Sequence, residues 1–323
     1  MQMASLYNSF YIILFTSLIG GVFTIVSFLI NRIFRIVLPL WAGFGGMALY
    51  VVPVFSPGLF PVSPERQIWV EGYKLASVIW GCGIILSALC CLLRMQMGYR
   101  AINCCRICDE RHINSICVQC AVAAKLKNIP TVYFGGLDDP ACVIGVVHPK
   151  IILNKKVAAR LSEVQLTAVL EHEIMHIKRG HMVLGRINDV ICILNWFNPI
   201  AWAAKREFDV LCEIDCDRSA LSVLRGKIDH KEYALTMLRL LELSAVGVSV
   251  SGVSLSVSGF LLTKRRMVLV MNNRSALYRI FSTLILLTAV ILVICFSVKV
   301  SRGYFYPYPA YSKGTEYSQA VQP

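Results

Sequence analysis

Four stretches of this chain run without a charged residue for the length of a bilayer crossing: Met1 to Asn31, Ile36 to Pro64, Leu75 to Leu93 and Ile280 to Val298. A helix needs about 20 apolar residues to cross a hydrocarbon core of roughly 30 Å. Buried helices of soluble domains seldom go so far without a charge. The stretches predict membrane spans over about 9–30, 36–55, 75–93 and 280–298. Composition agrees, since 16% of residues are charged where a soluble protein carries about a quarter. The first stretch does not read as a cleaved signal peptide, because it lacks a basic leading region and a second span follows at once.

The charges between the spans set the orientation. Arg32 and Arg35 follow the first span, while Glu65, Arg66, Glu71 and Lys74 cancel in the second loop. Arg94, Arg100, Arg106 and Arg111 follow the third, and Lys264, Arg265, Arg266, Arg274 and Arg279 precede the end of the chain's last apolar stretch. Basic loops stay in the cytoplasm. The amino terminus and the carboxyl tail are therefore expected outside, with the middle of the chain in the cytoplasm. The net charge of +13 then reflects orientation and contact with membrane lipid. Direct nucleic-acid binding is not expected, because the basic residues are not interleaved with aromatics. Nine of the 13 cysteines, Cys104 to Cys216, fall in the cytoplasmic region, where thiols stay reduced. Metal binding or burial suits them better than disulfides.

The expected organisation is three transmembrane helices over 1–93, a cytoplasmic domain over 94–275, a fourth helix over 276–298 and a short extracellular tail over 299–323. The tail holds five tyrosines and three prolines from Ser301 onward and cannot form a core. Residues 243–260 are rich in Ser, Val and Gly and read as a linker. Within the domain, Ile113–Lys127 has helical spacing and Thr131–Phe134 reads as a strand. Ala141–Val147 and Ile151–Leu153 read as paired strands around His148-Pro149-Lys150. Ser162 and Gln165 form a capping box signature, with Leu161 and Leu166 placed to staple it. The helix they open should stop at Gly180. Two more helices are expected over about 182–196 and 200–224, parted at Asn198-Pro199.

The chemistry sits on the first of these helices, in His172-Glu173-Ile174-Met175-His176. Residues four apart share a helix face, so the two imidazoles can bind one metal ion. Glu173 sits beside them, where it reaches a water rather than the metal. This is the H-E-x-x-H arrangement of zinc proteases. Chance matches are on the order of 0.004 per chain of this composition. A catalytic zinc keeps three protein ligands and one open position. The third helix offers Glu207, Asp209, Glu213, Asp215 and Asp217. Glu213 and Asp217 share a face, with Asp215 about 160° away and expected in solvent. Spacing alone does not choose between a ligand face and a solvated acidic face paired with Lys205 and Arg206.

His172–His181, Trp196-Phe197-Asn198-Pro199 and Glu213-Ile214-Asp215-Cys216-Asp217 together resemble the M56 peptidases, a family that includes bacterial β-lactam sensor-transducers of the BlaR/MecR type. Cys142 to Gly145 and Pro149 to Leu153 are similar to the family's strand pair, and Gly259-Phe260 with Lys264-Arg265-Arg266 to its segment before the last span. The resemblance implies an α+β membrane protein with a mainly helical, gluzincin-like protease domain between the third and fourth helices. It implies Zn2+ held by His172, His176 and Glu213, with Glu173 as general base and Asp217 holding a ligand from behind. It also implies a multi-pass protein of a bacterial cell membrane that cleaves a protein substrate in signal transduction, a cytoplasmic transcriptional repressor being the expected target. Sensor-type members carry an extracellular penicillin-binding domain after the last span. This chain has the tyrosine-rich tail there, so β-lactam sensing in cis is not expected. His181 stands where the family commonly has Asp and reads more simply as a polar helix cap.

Cys105, Cys108, Cys117 and Cys120 have the form of a four-thiolate zinc site. The gap is short, however, and Cys117 and Cys120 fit the apolar face of a helix, so reduced core thiols are the favoured reading. A homodimer is left open. The alternatives to a regulatory protease are an M48-type membrane zinc protease for prenylated or damaged membrane proteins, and a non-catalytic signalling scaffold.

Overall fold

The computed structural model describes residues 13–14, 16–29, 40–50, 70–103, 105–135 and 140–245, with residues 263, 266–268, 284, 288 and 291. The tail over 299–323, nearly all of the 243–260 linker and most of the predicted fourth span lie outside the described residues. Three apolar helices open the chain: α1 (Thr16–Leu29), α2 (Leu40–Ala48) and α3 (Val70–Asn103). Among the described residues one helix is long and apolar enough to cross a membrane, over Leu75–Arg100 in α3. At 34 residues α3 is far longer than the span expected at 75–93. Arg94 to Asn103 holds no proline, and Gly98 alone disfavours a helix there, so α3 continues past its apolar limit. Leu75, Ile79, Leu86 and Leu89 on α3 are exposed, which a helix of a water-soluble core would not leave so.

The rest is mostly helical around one small sheet. The elements are β1 (Arg106–Ile107), α4 (Arg111–Ala123), β2 (Thr131–Gly135), β3 (Ala141–Ile144), β4 (Lys150–Asn154), α5 (Lys155–Ala158), α6 (Glu163–Arg179), α7 (His181–Leu194), α8 (Pro199–Val223) and α9 (His230–Ala245). The sheet order is β1-β2-β4-β3. β2 runs parallel to β4, with Val132 opposite Ile151, and β3 runs antiparallel to β4, with Val143 opposite Ile151. β3 is shorter than the expected strand and lies at the edge of the sheet. α9 and β1 are elements the sequence pattern does not announce.

α6 begins as its capping box requires. The Ser162 hydroxyl accepts from Gln165 N at 3.3 Å, and Gln165 Oε1 accepts from Ser162 N at 3.1 Å. The core beneath it joins Ile113, Ile116, Cys117 and Cys120 of α4 to Leu166, Val169 and Leu170 of α6, with Ile151 and Leu153 of β4 and Ile214 of α8. Leu170, Ile174 and Ile151 are completely enclosed. That packing leaves the opposite face of α6, with its histidines, turned toward α8 and α9.

Candidate active site

His172 and His176 lie one turn apart on α6, with their Nε2 atoms 3.3 Å from each other. Glu213 reaches them from α8: Oε2 is 3.4 Å from His172 Nε2, and Oε1 is 3.3 Å from His176 Nε2. A tetrahedral ion with bonds of about 2.0–2.1 Å has its ligand atoms about 3.3–3.4 Å apart. The Nε2–Nε2 separation and the two imidazole–carboxylate separations, which end on different Glu213 oxygens, are all near that spacing, so the residues can close around such an ion. The three side chains form one of two metal-capable groups among the described residues.

The hydrogen bonds behind the imidazoles point the same way. His172 Nδ1 lies 3.0 Å from Asp217 Oδ1, a contact that places its proton on Nδ1 and the lone pair on Nε2. His176 Nδ1 lies 3.2 Å from His181 Nδ1. If both histidines donate from Nδ1, two Nε2 lone pairs face each other and a carboxylate, and a cation between them resolves the repulsion. A proton on Nε2 can stand in that cation's place: burial alone would lower the His172 pKa, but its hydrogen bonds to Asp217 and Glu213 raise it to about 10. Burial would raise the Glu213 pKa, yet hydrogen bonds from His172 and His176 and the Arg266 charge hold it well below the usual range. The site is built to draw positive charge.

Asp217 is fully enclosed and collects several donors. The Tyr233 hydroxyl donates to Oδ1 at 3.0 Å, Arg266 Nε to Oδ2 at 3.1 Å and Arg266 Nη2 to Oδ1 at 2.9 Å. Tyr233 also sits 3.1 Å from His172 Nδ1. Arg266 Nη1 is 2.8 Å from Glu213 Oε2. Glu173 is buried and faces a cavity of about 350 Å³ lined also by His172, His176, Glu213, Arg266 and Val143 of the edge strand.

His181 departs from its reading as a simple polar cap. It is 4% exposed, and Cys216 Sγ lies 3.3 Å from the same Nδ1 that faces His176. The cause is Gly180, whose left-handed φ of 66° ends α6 and starts α7 with no intervening loop. α7 thus begins directly beneath the last turn of α6. His176, His181 and Cys216 form the second metal-capable group, but it shares its imidazole with the first. Burial pushes the Cys216 thiol up, and burial with the neighbouring His176 charge lowers His181 to about 4. A neutral thiol and a neutral imidazole suit a hydrogen-bonded support for His176.

The remaining sequence candidates fall elsewhere. Asp209 takes Lys205 at 3.0 Å, as the solvated-face alternative has it. Asp215 is partly solvated, with 28% of its side chain exposed, and its Oδ2 lies 3.3 Å from Arg179 Nε and 3.8 Å from His181 Nε2. Of the four spaced cysteines, Cys108, Cys117 and Cys120 are buried, and their sulfurs face three different backbone carbonyls, of Glu110, Pro130 and Thr167. Neither metal-capable group among the described residues includes them or Cys105. All described cysteines are free thiols. The sequence pattern does not nominate Tyr233 or Arg266 as parts of the site. Arg266 stands in a basic run whose sequence signal is orientation, and Tyr233 belongs to a helix without a start signal.

The sequence profile of the family described as BlaR1 peptidase M56 matches residues 62–270. The methicillin resistance mecR1 protein of Staphylococcus aureus is 25% identical over 184 residues, covering 55% of this chain and 31% of that protein. The same figures hold for the mecR1 protein of Staphylococcus epidermidis. The regulatory protein BlaR1 of Bacillus licheniformis is 33% identical over 132 residues, 41% of this chain and 22% of its own length. The chain thus spans under a third of the length of the curated relatives it matches.

Proposed function

Because the chain belongs to the BlaR1 peptidase M56 family, we propose that it is a membrane-embedded zinc metalloendopeptidase of regulated proteolysis, with His172, His176 and Glu213 as ligands. The matched region takes in every residue of the site above, and the choice between M56 and M48-type proteases resolves toward the first. The observation that carries the reading is the convergence of His172 Nε2, His176 Nε2 and the Glu213 carboxylate at 3.3–3.4 Å, with Glu173 beside them in one cavity. The chain's frame in this reading is four spans, the amino terminus outside, the protease domain over 94–275 on the cytoplasmic side, and the tail outside. A cytoplasmic transcriptional repressor is the proposed target, by analogy with the resistance and regulatory proteins it resembles.

A zinc ion held by these side chains supplies Lewis acidity for a peptide carbonyl and acidifies a water. Glu173 takes the proton of the attacking water and passes it to the leaving amine. Asp217 and Tyr233 fix the ring of His172, while His181 fixes that of His176. The edge strand β3 receives the substrate as an added strand. Asn154 N donates to Pro140 O at 2.9 Å, so the alternation of an antiparallel ladder turns the backbone groups of Ala141 and Val143 toward the open edge. Val143 also lines the cavity, which brings an added strand past Glu173.

The test is a substrate trap. Glu173→Gln protein is crosslinked in cells, and the captured protein is then incubated with the zinc-loaded unsubstituted chain. Capture followed by cleavage at one bond is expected. Zinc-loaded protein that leaves every captured partner intact would return the chain to the scaffold reading.

A further inference from the structure

We propose that the α7–α8 hairpin is a re-entrant element whose tip lies in the hydrocarbon of the bilayer, setting the catalytic centre at the membrane surface. The inference rests on the reading of the chain as a membrane protease and adds a lipid-facing surface to the protease domain. No charged residue occurs between Asp189 and Lys205. That interval of 15 residues is too short to cross a bilayer and suits a segment that enters and returns.

The tip is bound to the spans. Trp80 Nε1 of α3 donates to Leu194 O at 3.0 Å, and Trp196 Nε1 donates back to Trp80 O at 3.2 Å. Asn198 Nδ2 donates to Ser17 Oγ of α1 at 2.7 Å. Gly83 of α3 lies so close to Trp196 that a Cβ there would be 2.1 Å from the indole. α2 joins the packing through Met47, with Tyr50 just beyond its end, and both cluster with Ile191, Cys192 and Ala201.

Three lengths agree on the depth. Ser17 and Trp80 each stand 13 residues before the cytoplasmic ends that the charge pattern assigns to their spans, at 30 and 93. His181 stands 13 residues before Leu194. At about 1.5 Å per helical residue, each interval is about 20 Å. The tip is therefore about 20 Å below the cytoplasmic face, and His181, with the ligand triangle, is level with that face. Pro199 to Glu213 on α8 covers 14 residues, and so returns to the same level.

The chemistry of the hairpin suits hydrocarbon. A turn inside a bilayer must satisfy its own backbone groups. Here the Leu194 carbonyl takes Trp80, the Asn195 carbonyl takes Asn198 N at 2.8 Å, and the Trp196 carbonyl takes Trp202 Nε1 at 3.3 Å. Asn198 caps α8 by accepting from Ile200 N at 2.9 Å. The outer face of α7 shows Val183, Ile187 and Val190, at helical spacing and 44%, 41% and 56% exposed. Such a stripe is out of place against water and continues the exposed apolar surface of α3. The first charge on each arm, Asp189 and Lys205, is paired, as membrane burial demands: Asp189 takes Arg186 at 2.9 Å and Lys205 at 3.5 Å.

Nitroxide labels at single cysteines, in a cysteine-depleted full chain reconstituted in phospholipid vesicles, test the depth by collision with oxygen and with a nickel chelate. Val190→Cys should be shielded from nickel as strongly as Leu86→Cys on α3. Val183→Cys, seven residues or about 10 Å nearer the surface, should be shielded less, and Lys231→Cys on α9 should be fully open. A lipid-like Leu86 with a water-like Val190 overturns the hairpin alone. A water-like Leu86 overturns the membrane reading and the hairpin with it. Should the cysteine-depleted chain fail to fold, a phospholipid bearing a diazirine in its acyl chain is photolysed with the unsubstituted protein. Label on the peptide holding Val183–Val190 is expected, and label on α3 without it overturns the proposal.

Discussion

Asp217 and Arg266 make the sharpest energetic test of the site. Asp217 has no exposed side-chain surface and Arg266 only 12%, so neither charge can turn to water if the other is removed. Their two contacts, at 3.1 and 2.9 Å, have the spread of a bidentate carboxylate–guanidinium pair. Deleting one partner of a buried pair costs about 3–5 kcal/mol, most of it the penalty on the charge left behind. Asp217→Ala and Arg266→Ala should each lose about that much, while the double variant should lose less than their sum by about 2–3 kcal/mol. Zinc affinity separates the two positions further. Asp217→Ala removes the acceptor that orients His172, a loss worth roughly 10–100-fold in metal affinity. Tyr233, 3.1 Å from the same nitrogen, should hold the loss near the lower figure. Arg266→Ala removes a positive charge 2.8 Å from Glu213 and should weaken zinc less than Asp217→Ala does. Denaturant unfolding in mild detergent gives the stabilities, and chelator competition gives the affinities. Single-variant losses that add within about 0.5 kcal/mol would mean the pair is not coupled, and Arg266 would then not be the counter-charge that lets Asp217 stay ionised behind His172.

Four further outcomes follow from the geometry. Glu173→Gln should keep zinc and lose proteolysis, whereas His172→Ala should lose both; equal zinc loss in the two would merge the roles of base and ligand. His181→Ala should weaken zinc by about 10-fold, since it removes the acceptor behind His176, and unchanged affinity would restore the polar-cap reading. Metal analysis of purified protein should find about one zinc, and a second that vanishes with Cys105→Ser and Cys117→Ser would show a thiolate site after all. Burial raises the Glu171 pKa to about 7 from 4.5, so the neutral acid's contribution is complete below about 4.5 and lost as pH rises through 7. Glu171→Gln should therefore raise the melting temperature at pH 8 relative to the parent and flatten the pH profile, and a gain confined to pH 4 would contradict that sign.

The parts of the fold that are legible in the sequence are those with local causes. The capping box at Ser162, the stop at Gly180 and the Asn198-Pro199 break depend on residues within a turn of each other, and each helix end lies within two residues of its expected place. β3 and β4 are legible because a Pro-containing turn sits between two β-branched runs. β1 has two residues and exists only because β2 offers an edge to it, which no local pattern records. α9 lacks a strong start signal, and its buried Tyr233, Ala234 and Met237 gain their meaning from the core they join and, for Met237, the cavity it lines. The uncharged run around Trp196 is visible too, but reads as a turn, because 15 residues fall below the length that marks a span.

The site divides along the same physical line. His172, Glu173 and His176 can be found from spacing because one helix carries all three, and one turn of helix fixes their relation before any tertiary structure exists. Glu213 and Asp217 share a face of α8 for the same reason, yet which of the acidic residues faces the histidines depends on how α6 and α8 pack. Arg266 and Tyr233 are harder still. They approach Asp217 from 49 and 16 residues away, and their sequence neighbours give reasons to be basic or aromatic that have nothing to do with a metal. A long-range partner becomes predictable only from the need it meets. A buried carboxylate behind a ligand histidine must have a counter-charge, and the basic run before the last span holds the cations that follow α9 in the chain. That demand nominates Lys264, Arg265 or Arg266, and only packing can choose among them.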